Sequence, residues 1–224
     1  MTNKIIGIQG DKLDKINISS DTSIFLAHEA QKLGYKIFYY TPSNLSIIKN
    51  KTYANGVFVK LNYERKKFYK IYKKQKIDVE NFKFILIRQD PPFNSEYLIT
   101  TLILDDLKKT RVINNPVAIR NVSEKLYSKK FTKYMPDTIF SNNIEEVKKF
   151  YKQNKSIIMK PINGYGGNQI HLIKNKFNKK LITNFLKKNG HSMFQKFLKN
   201  ISKGDKRVFI INGKVCGAIS RVPK

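Results

Sequence analysis

The first forty residues admit few folds. "KIIGIQ" at 4–9 is a short apolar run, "SDTSIFLAHEAQKLGY" at 20–35 carries Ile24, Ala27 and Leu33 in an apolar stripe, and "KIFYY" at 36–40 is a second apolar run. Strand, helix and strand in that order predict parallel neighbours joined by a helical crossover, and so an α/β sheet. Ser20 or Asp21 stands where the helix would be capped, and Gly34 where it would stop. "FKFILIR" at 82–88 reads as a third, buried strand. "QDPPF" breaks it, Ser95 is placed to cap a helix through "EYLITTLILDDLKK", and "RVINNP" at 111–116 reads as a further short strand ending in a turn.

A boundary is expected near residues 115–125, giving domains 1–120 and 121–224. In the second, "SNNIEEVKKFYKQN" at 141–154 is an amphipathic helix with Ile144, Val147, Phe150 and Tyr151 on one side. "SIIMKP" then reads as a strand, "INGYGGN" as a loop and "QIHLIK" as a return strand. "NKKLITNFLKKNG" is a helix closed by Gly190, and "SMFQKFL" a strand. "KRVFIINGKVCGAIS" is a hairpin turning at Asn212–Gly213. This half reads as α+β with antiparallel strands.

Composition excludes several classes. Of 224 residues 41% are hydrophobic, which argues for a folded chain, and no apolar run approaches the roughly 20 residues of a membrane span. The N-terminus lacks the apolar core and cleavage site of a signal peptide. A single cysteine, Cys216, rules out an internal disulfide and fits a reducing cytoplasm; lying among Val215, Gly217 and Ala218, it reads as a core thiol. His28, His171 and His191 have no metal-ligand spacing and read as structural or surface residues. The net charge of +28 raises nucleic-acid binding. However, the lysines are spread over the whole chain, and only six basic residues are arginine. The densest run, "ERKKFYKIYKKQK" at 64–76, has Phe68, Ile71 and Tyr72 at helical spacing and predicts a helix with a solvated lysine face.

Chemistry concentrates at 157–172, "IIMKPINGYGGNQIHL". Lys160 ends an apolar strand, and Gly164, Gly166 and Gly167 follow in a loop almost bare of side chains. A fixed ammonium beside exposed backbone N–H groups suits phosphate, although a plain β-turn would also use glycine. Asp205 and Arg207 stand two apart at a strand entrance and share a face, so one could accept from a ribose hydroxyl while the other donates to phosphate or carboxylate; a surface ion pair is the plainer alternative. Arg88 and Asp90 sit at the C-terminal end of a strand, where open α/β sheets bind ligands. Asp90 also fits as a turn residue before Pro91–Pro92.

In this order the segments "DTSIFLAHEAQKLGY", "ILIRQDPPFNSEY", "VINNPVAIRNVSEKLY", "IIMKPINGYGGNQI", "FQKFLKNISKGDKRVFIINGK" and "AISRVP" resemble the ATP-grasp superfamily, and within it the bacterial glutathione synthetases. "RQDPPF" and "GDKRV" are the specific pieces. The resemblance implies an N-terminal parallel-sheet substrate-binding domain followed by an incomplete ATP-grasp domain. It implies ATP-dependent ligation of γ-glutamylcysteine and glycine through an acyl phosphate, with catalysis by positioning and charge neutralisation.

By that resemblance Lys125 and Lys160 contact the nucleotide phosphates under the loop Gly164, Tyr165, Gly166 and Gly167. The hinge Gln195, Lys196, Phe197 and Leu198 reads adenine through backbone groups, and Asp205 meets the ribose. Arg207 and Arg221 are the catalytic ligands for phosphate or substrate carboxylate, and Ser23, Arg88, Asp90 and Arg120 hold the peptide. Family members are homo-oligomers. In the family the Arg-x-Pro at 221–223 is followed by a second glycine-rich stretch and by the residues that hold magnesium. The chain is therefore expected to be an N-terminal portion with its Mg2+ ligands elsewhere, an unpaired apolar edge on the 206–220 hairpin, and low activity alone. Another ATP-grasp carboxylate–amine ligase, a non-catalytic nucleic-acid binder and an interaction protein that kept the fold without its chemistry are the competing readings.

Overall fold

The computed structural model describes residues 4–63 and 67–222. The chain divides into two compact units, Met1–Ser123 and Glu124–Lys224. Among the described residues no helix is long and apolar enough to cross a membrane.

The first unit runs β1 (Ile5–Gln9), α1 (Thr22–Lys32), β2 (Lys36–Tyr40), β3 (Leu45–Ile48), β4 (Lys51–Leu61), β5 (Tyr69–Asp78), β6 (Phe84–Ile87), α2 (Ser95–Asp105), β7 (Arg111–Ile113) and α3 (Pro116–Asn121). The strands form one seven-stranded sheet, in the order β3-β4-β2-β1-β6-β7, with β5 paired to β4. β2, β1, β6 and β7 are mutually parallel, as the alternating start of the chain predicts. Asp21 caps α1 by accepting from the Ile24 N–H at 2.7 Å, and Gly34 leaves the helix at φ 84°. Ile6 and Ile8 pack with Ile24 and Ala27 of α1, while Ile85 and Ile87 pack with Leu104 of α2, so the sheet is covered on two faces.

Three expectations change here. An antiparallel arm, β3, β4 and β5, extends the parallel strands beyond β2. The segment expected as a lysine-coated helix lies partly outside the described residues, at 64–66, and its remainder forms β5. Only Phe68 of its three apolar residues is buried, and Ile77 buries at the other end of β5, so pairing with β4 outweighs the helical spacing. A register shift at Phe58/Val59 inserts an extra residue in β5, which disguises the two-residue alternation. Finally, Asn94 rather than Ser95 caps α2, accepting from the Tyr97 N–H at 3.0 Å.

The second unit contains β8 (Thr138–Ser141), α4 (Ile144–Asn154), β9 (Ser156–Pro161), β10 (His171–Lys174), α5 (Lys179–Asn189), β11 (Ser192–Lys196), β12 (Asp205–Ile211) and β13 (Lys214–Arg221). β10-β9-β11-β8 is a four-stranded antiparallel sheet. Asn143 and Asn178 cap the two helices through their side-chain oxygens. Val147 and Phe150 of α4 and Ile182, Phe185 and Leu186 of α5 pack on Ile157, Met159 and Phe194 of the sheet. Full burial of one such side chain stabilises by about 1.5–3 kcal/mol. His171 packs edge-on against Phe185, and His191 is exposed.

β12 and β13 pair only with each other among the described strands. Asn212 and Gly213, at φ 50° and 75°, form the two-residue turn that such a hairpin requires. Every residue from Asp205 to Val222 is exposed, including Phe209, Ile210, Ile211 and Val215. Cys216 is thus exposed, not a core thiol: an apolar run in a strand buries only where something packs on it.

Candidate active site

In the first unit the C-terminal ends of β1 and β6 lie side by side, and the chain beyond each carries the polar groups. The Arg88 N–H bonds the Gln9 carbonyl at 2.7 Å, continuing the ladder one residue past β6. The Arg88 guanidinium is held by hydroxyls, Nε donating to Ser23 Oγ at 2.9 Å and Nη2 to Thr22 Oγ1 at 2.8 Å. Both hydroxyls belong to the first turn of α1, which is where the Asp21 cap sets them. Arg88 therefore has a fixed direction from bonds that leave its charge unneutralised. The Asp90 N–H donates to Asp11 Oδ2 at 2.9 Å, drawing the two acidic residues together. Burial, then Asp11 and Asp21, raise the Asp90 carboxyl above the usual range, against the pull of Arg88.

Behind them Gln9 and Gln89, both buried, are joined side chain to side chain. Tyr39 donates its hydroxyl to the Asp11 carbonyl at 2.7 Å, and a Cβ on Gly10 would collide with that hydroxyl. The structure brings Ser23, Arg88 and Asp90 near one another, together with Thr22, Asp11, Gln9 and Gln89, which sequence reasoning missed. Asp11 was findable, because it follows a predicted strand at the same end as Arg88. Arg120 sits elsewhere, on α3, and pairs with Asp105 of α2.

In the second unit Lys160 ends β9 and Lys125 approaches from the segment before β8. The Lys125 ammonium donates to the Ile162 carbonyl at 3.3 Å and to the Gly164 carbonyl, so it grips the base of the glycine loop. The Lys160 ammonium donates to Gln195 Oε1 at 3.1 Å. Burial first, and Lys125 second, push Lys160 below the ordinary lysine range, with Glu124 opposing. Two ammoniums whose charges disfavour each other make a site suited to a polyanion.

The loop between β9 and β10 is shaped for approach. Gly164 abuts the Pro161 ring where a Cβ would clash, and Gly166 and Gly167 take φ 60° and 76°. Tyr165 is partly exposed at its tip. At the end of β11 the hinge is pinned by backbone bonds, Lys196 N–H to the Asp137 carbonyl at 2.9 Å and Phe197 N–H to the Ser156 carbonyl at 3.0 Å; Phe197 is half-buried and Leu198 exposed.

On the hairpin Asp205 and Arg221 face each other across β12 and β13. The Arg221 guanidinium donates two bonds of 2.6 Å to the two Asp205 oxygens. The alternative pairing of Asp205 with Arg207 does not form; Arg207 pairs in register with Ile219. Among the described residues no group of three or more His, Cys, Asp or Glu is placed to hold a metal ion. By themselves the acidic residues described make no magnesium site.

The family model described as prokaryotic glutathione synthetase, N-terminal domain, matches residues 5–120, and that described as prokaryotic glutathione synthetase, ATP-grasp domain, matches residues 124–224. Glutathione synthetase of Mesorhizobium japonicum is 37% identical over 225 residues, covering 97% of this chain and 71% of that protein. That of Buchnera aphidicola subsp. Acyrthosiphon pisum is 37% identical over 216 residues, covering 93% and 67%.

Among solved structures, the D-cycloserine synthetase DcsG superposes with a TM-score of 0.65 at 13% identity, over 97% of this chain and 68% of that one. D-alanyl-alanine synthetase A from Vibrio cholerae gives 0.59 at 14% identity, over 100% and 69%. These two show the fold. The chain spans about 70% of the length of the relatives it matches. With the two domain models matching residues 5–120 and 124–224 and relatives above a third identical, the chain belongs to the prokaryotic glutathione synthetase family.

Proposed function

We propose that this chain contributes the nucleotide and peptide contacts of an ATP-dependent ligase that joins γ-glutamylcysteine to glycine. The observation that carries the reading is the Lys125–Lys160 pair beside the bare glycine loop, within a chain whose relatives are glutathione synthetases. In this reading ATP is a substrate. Its γ-phosphoryl passes to the cysteinyl carboxylate, and the glycine amine then displaces phosphate from the acyl phosphate. Lys125 and Lys160 hold the phosphates, and the loop Gly164–Gly167 closes over them with its N–H groups. The hinge at 195–198 takes the adenine, and Arg207 and Arg221 meet phosphate or carboxylate once Arg221 leaves Asp205. Magnesium would supply charge compensation for the transferring phosphoryl.

Arg88, aimed by Ser23 and Thr22, supports binding of a substrate carboxylate, with Asp90 and Asp11 offering acceptors for an ammonium. This favours an amino-acid-like peptide over a simple acid. Calorimetric titration of the purified chain tests it. ATP and γ-glutamylcysteine are expected to bind, Lys160→Ala to weaken ATP by about tenfold or more, and Arg88→Ala to weaken the peptide by a similar factor. Heat from D-alanine with none from γ-glutamylcysteine would move the chain to another ligase specificity. No binding of ATP at all, with tight salt-sensitive retention of DNA, would overturn the ligase reading.

A further inference from the structure

Three polar side chains step across the sheet of the second unit from β8 through β11 to β9. Thr138 on β8 and Gln195 on β11 are register partners. The Thr138 hydroxyl donates to the Pro136 carbonyl at 2.7 Å, so its one hydrogen is committed and its oxygen can only accept from a neighbour. Gln195 Nε2 donates to that oxygen at 2.9 Å. The amide is thereby turned with Oε1 toward Lys160, whose ammonium donates to it at 3.1 Å. Gln195 is only 9% exposed, so neither end of the amide is freely exchanged with water. A glutamine can ordinarily flip its amide with little consequence. A flip here would set Nε2 against an ammonium and Oε1 against a hydroxyl with no hydrogen to give, and both bonds would be lost.

We propose that Thr138 and Gln195 are positioning residues, in which the Thr138 hydroxyl orients the Gln195 amide and the amide oxygen holds the Lys160 ammonium, charged and at fixed reach, for the phosphates of the nucleotide. The proposal rests on the reading of the lysine pair as a phosphate site. It goes beyond it in giving the Gln195 side chain a task separate from the backbone contacts of the hinge, and in giving Thr138 a task at all. The need is physical. Burial and the neighbouring Lys125 both favour the neutral amine of Lys160, and a neutral amine is a poor partner for phosphate. A half-buried lysine is also a flexible stem, and an acceptor at its tip removes that freedom before the ligand arrives. Lys125 has acceptors of its own in the Ile162 and Gly164 carbonyls, so the two lysines are held independently.

The test reads the titration of Lys160 in the full chain, by the pH dependence of its labelling with an amine-reactive reagent resolved by mass spectrometry, alongside ATP affinity. Lys125 labelling serves as internal control. Gln195→Leu and Thr138→Val are expected to shift Lys160 titration to lower pH and to weaken ATP by about tenfold, the scale of one hydrogen bond to a charged group. Thr138→Ser keeps the hydroxyl and is expected to restore both. Gln195→Glu places a carboxylate at the same spot and is expected to shift Lys160 titration upward, which checks that position 195 faces the ammonium. Unchanged Lys160 titration in folded Thr138→Val and Gln195→Leu chains overturns the proposal. If the unsubstituted chain binds no ATP while the Lys160 shifts appear as expected, the phosphate reading fails and the hydrogen-bonded relay stands supported.

Discussion

At the scale of single residues, charge is arranged by neighbours more than by type. Lys160 carries a depressed pKa because it is half-buried and faces Lys125, and nucleotide phosphates favour its charged form. ATP binding is therefore expected to take up a proton at alkaline pH. Affinity should fall as pH climbs through the depressed value, before the 10.5 of an ordinary lysine is reached. Calorimetry in buffers of different ionisation enthalpy checks this. Asp90 is the opposite case. Its folded pKa is raised, so its contribution to stability is full below its ordinary 3.8 and lost as pH rises through the folded value. Asp90→Asn should gain a little thermal stability at neutral pH, measured as a higher Tm than the parent's, while weakening the peptide substrate.

At this scale the sequence was legible where a residue's position depends on its own strand or helix end, as with Arg88, Lys160 and Ser23. It was not legible where the role depends on which strands become neighbours. Thr138 and Gln195 lie 57 positions apart, and nothing local marks Thr138 as a partner. The Asp205–Arg221 pair likewise follows from the hairpin's register rather than from the Asp-x-Arg spacing.

At the scale of elements, the arm β3–β5 and the connection after α2 show what holds the first unit's edges. Glu80 sits after β5 and accepts from the backbone N–H groups of Lys108, Lys109 and Thr110 at 2.6, 2.9 and 2.8 Å. Burial pushes its carboxyl up, and those bonds outweigh it and hold it below the usual glutamate range. Three orphan donors of one turn are thus satisfied by one side chain, as a cap satisfies a helix end. Glu80→Ala should lower stability by about 2 kcal/mol. Because the folded pKa is lowered, this stabilisation is complete above the unfolded value of 4.5 and lost as pH falls through the folded one, so parent and variant melting curves should converge in acid.

β5 lies at the sheet margin and carries Lys70, Lys73, Lys74 and Lys76. Lysine on an exposed edge discourages pairing with another chain. Lys70 stands opposite Lys60 in register, which is an unfavourable pairing that a buried strand would not keep. Replacing Lys70 and Lys74 with threonine should promote aggregation, seen by light scattering. The same lysines explain why a helix was expected here: on an edge strand with one covered face, the apolar residues are too few to declare a period of two.

At the scale of the whole molecule, the net charge of +28 sits on a protein whose proposed ligands are anions. Encounter with ATP should be accelerated at low ionic strength, and its association rate should fall as salt rises while the dissociation rate changes less. Stopped-flow measurements between low and high salt would show this. The candidate residues also differ in how they are backed. Arg88 and Lys160 rest on sheets with buried cores, whereas Asp205, Arg207 and Arg221 stand on a hairpin with no buried residue. A two-stranded hairpin of that kind is marginal in water. Its amides should be the quickest to exchange with deuterium among the described strands, and bound ATP should slow them.

The exposed hairpin also bears on how tightly a ligand is seen to bind. If the arrangement that meets a nucleotide is occupied only part of the time, the observed dissociation constant is the intrinsic one divided by that fraction. Anything that keeps β12 and β13 still would sharpen affinity without adding a contact, whereas the bidentate Asp205–Arg221 clasp at the hairpin's open end has to open before Arg221 can meet a ligand, and so lowers that fraction.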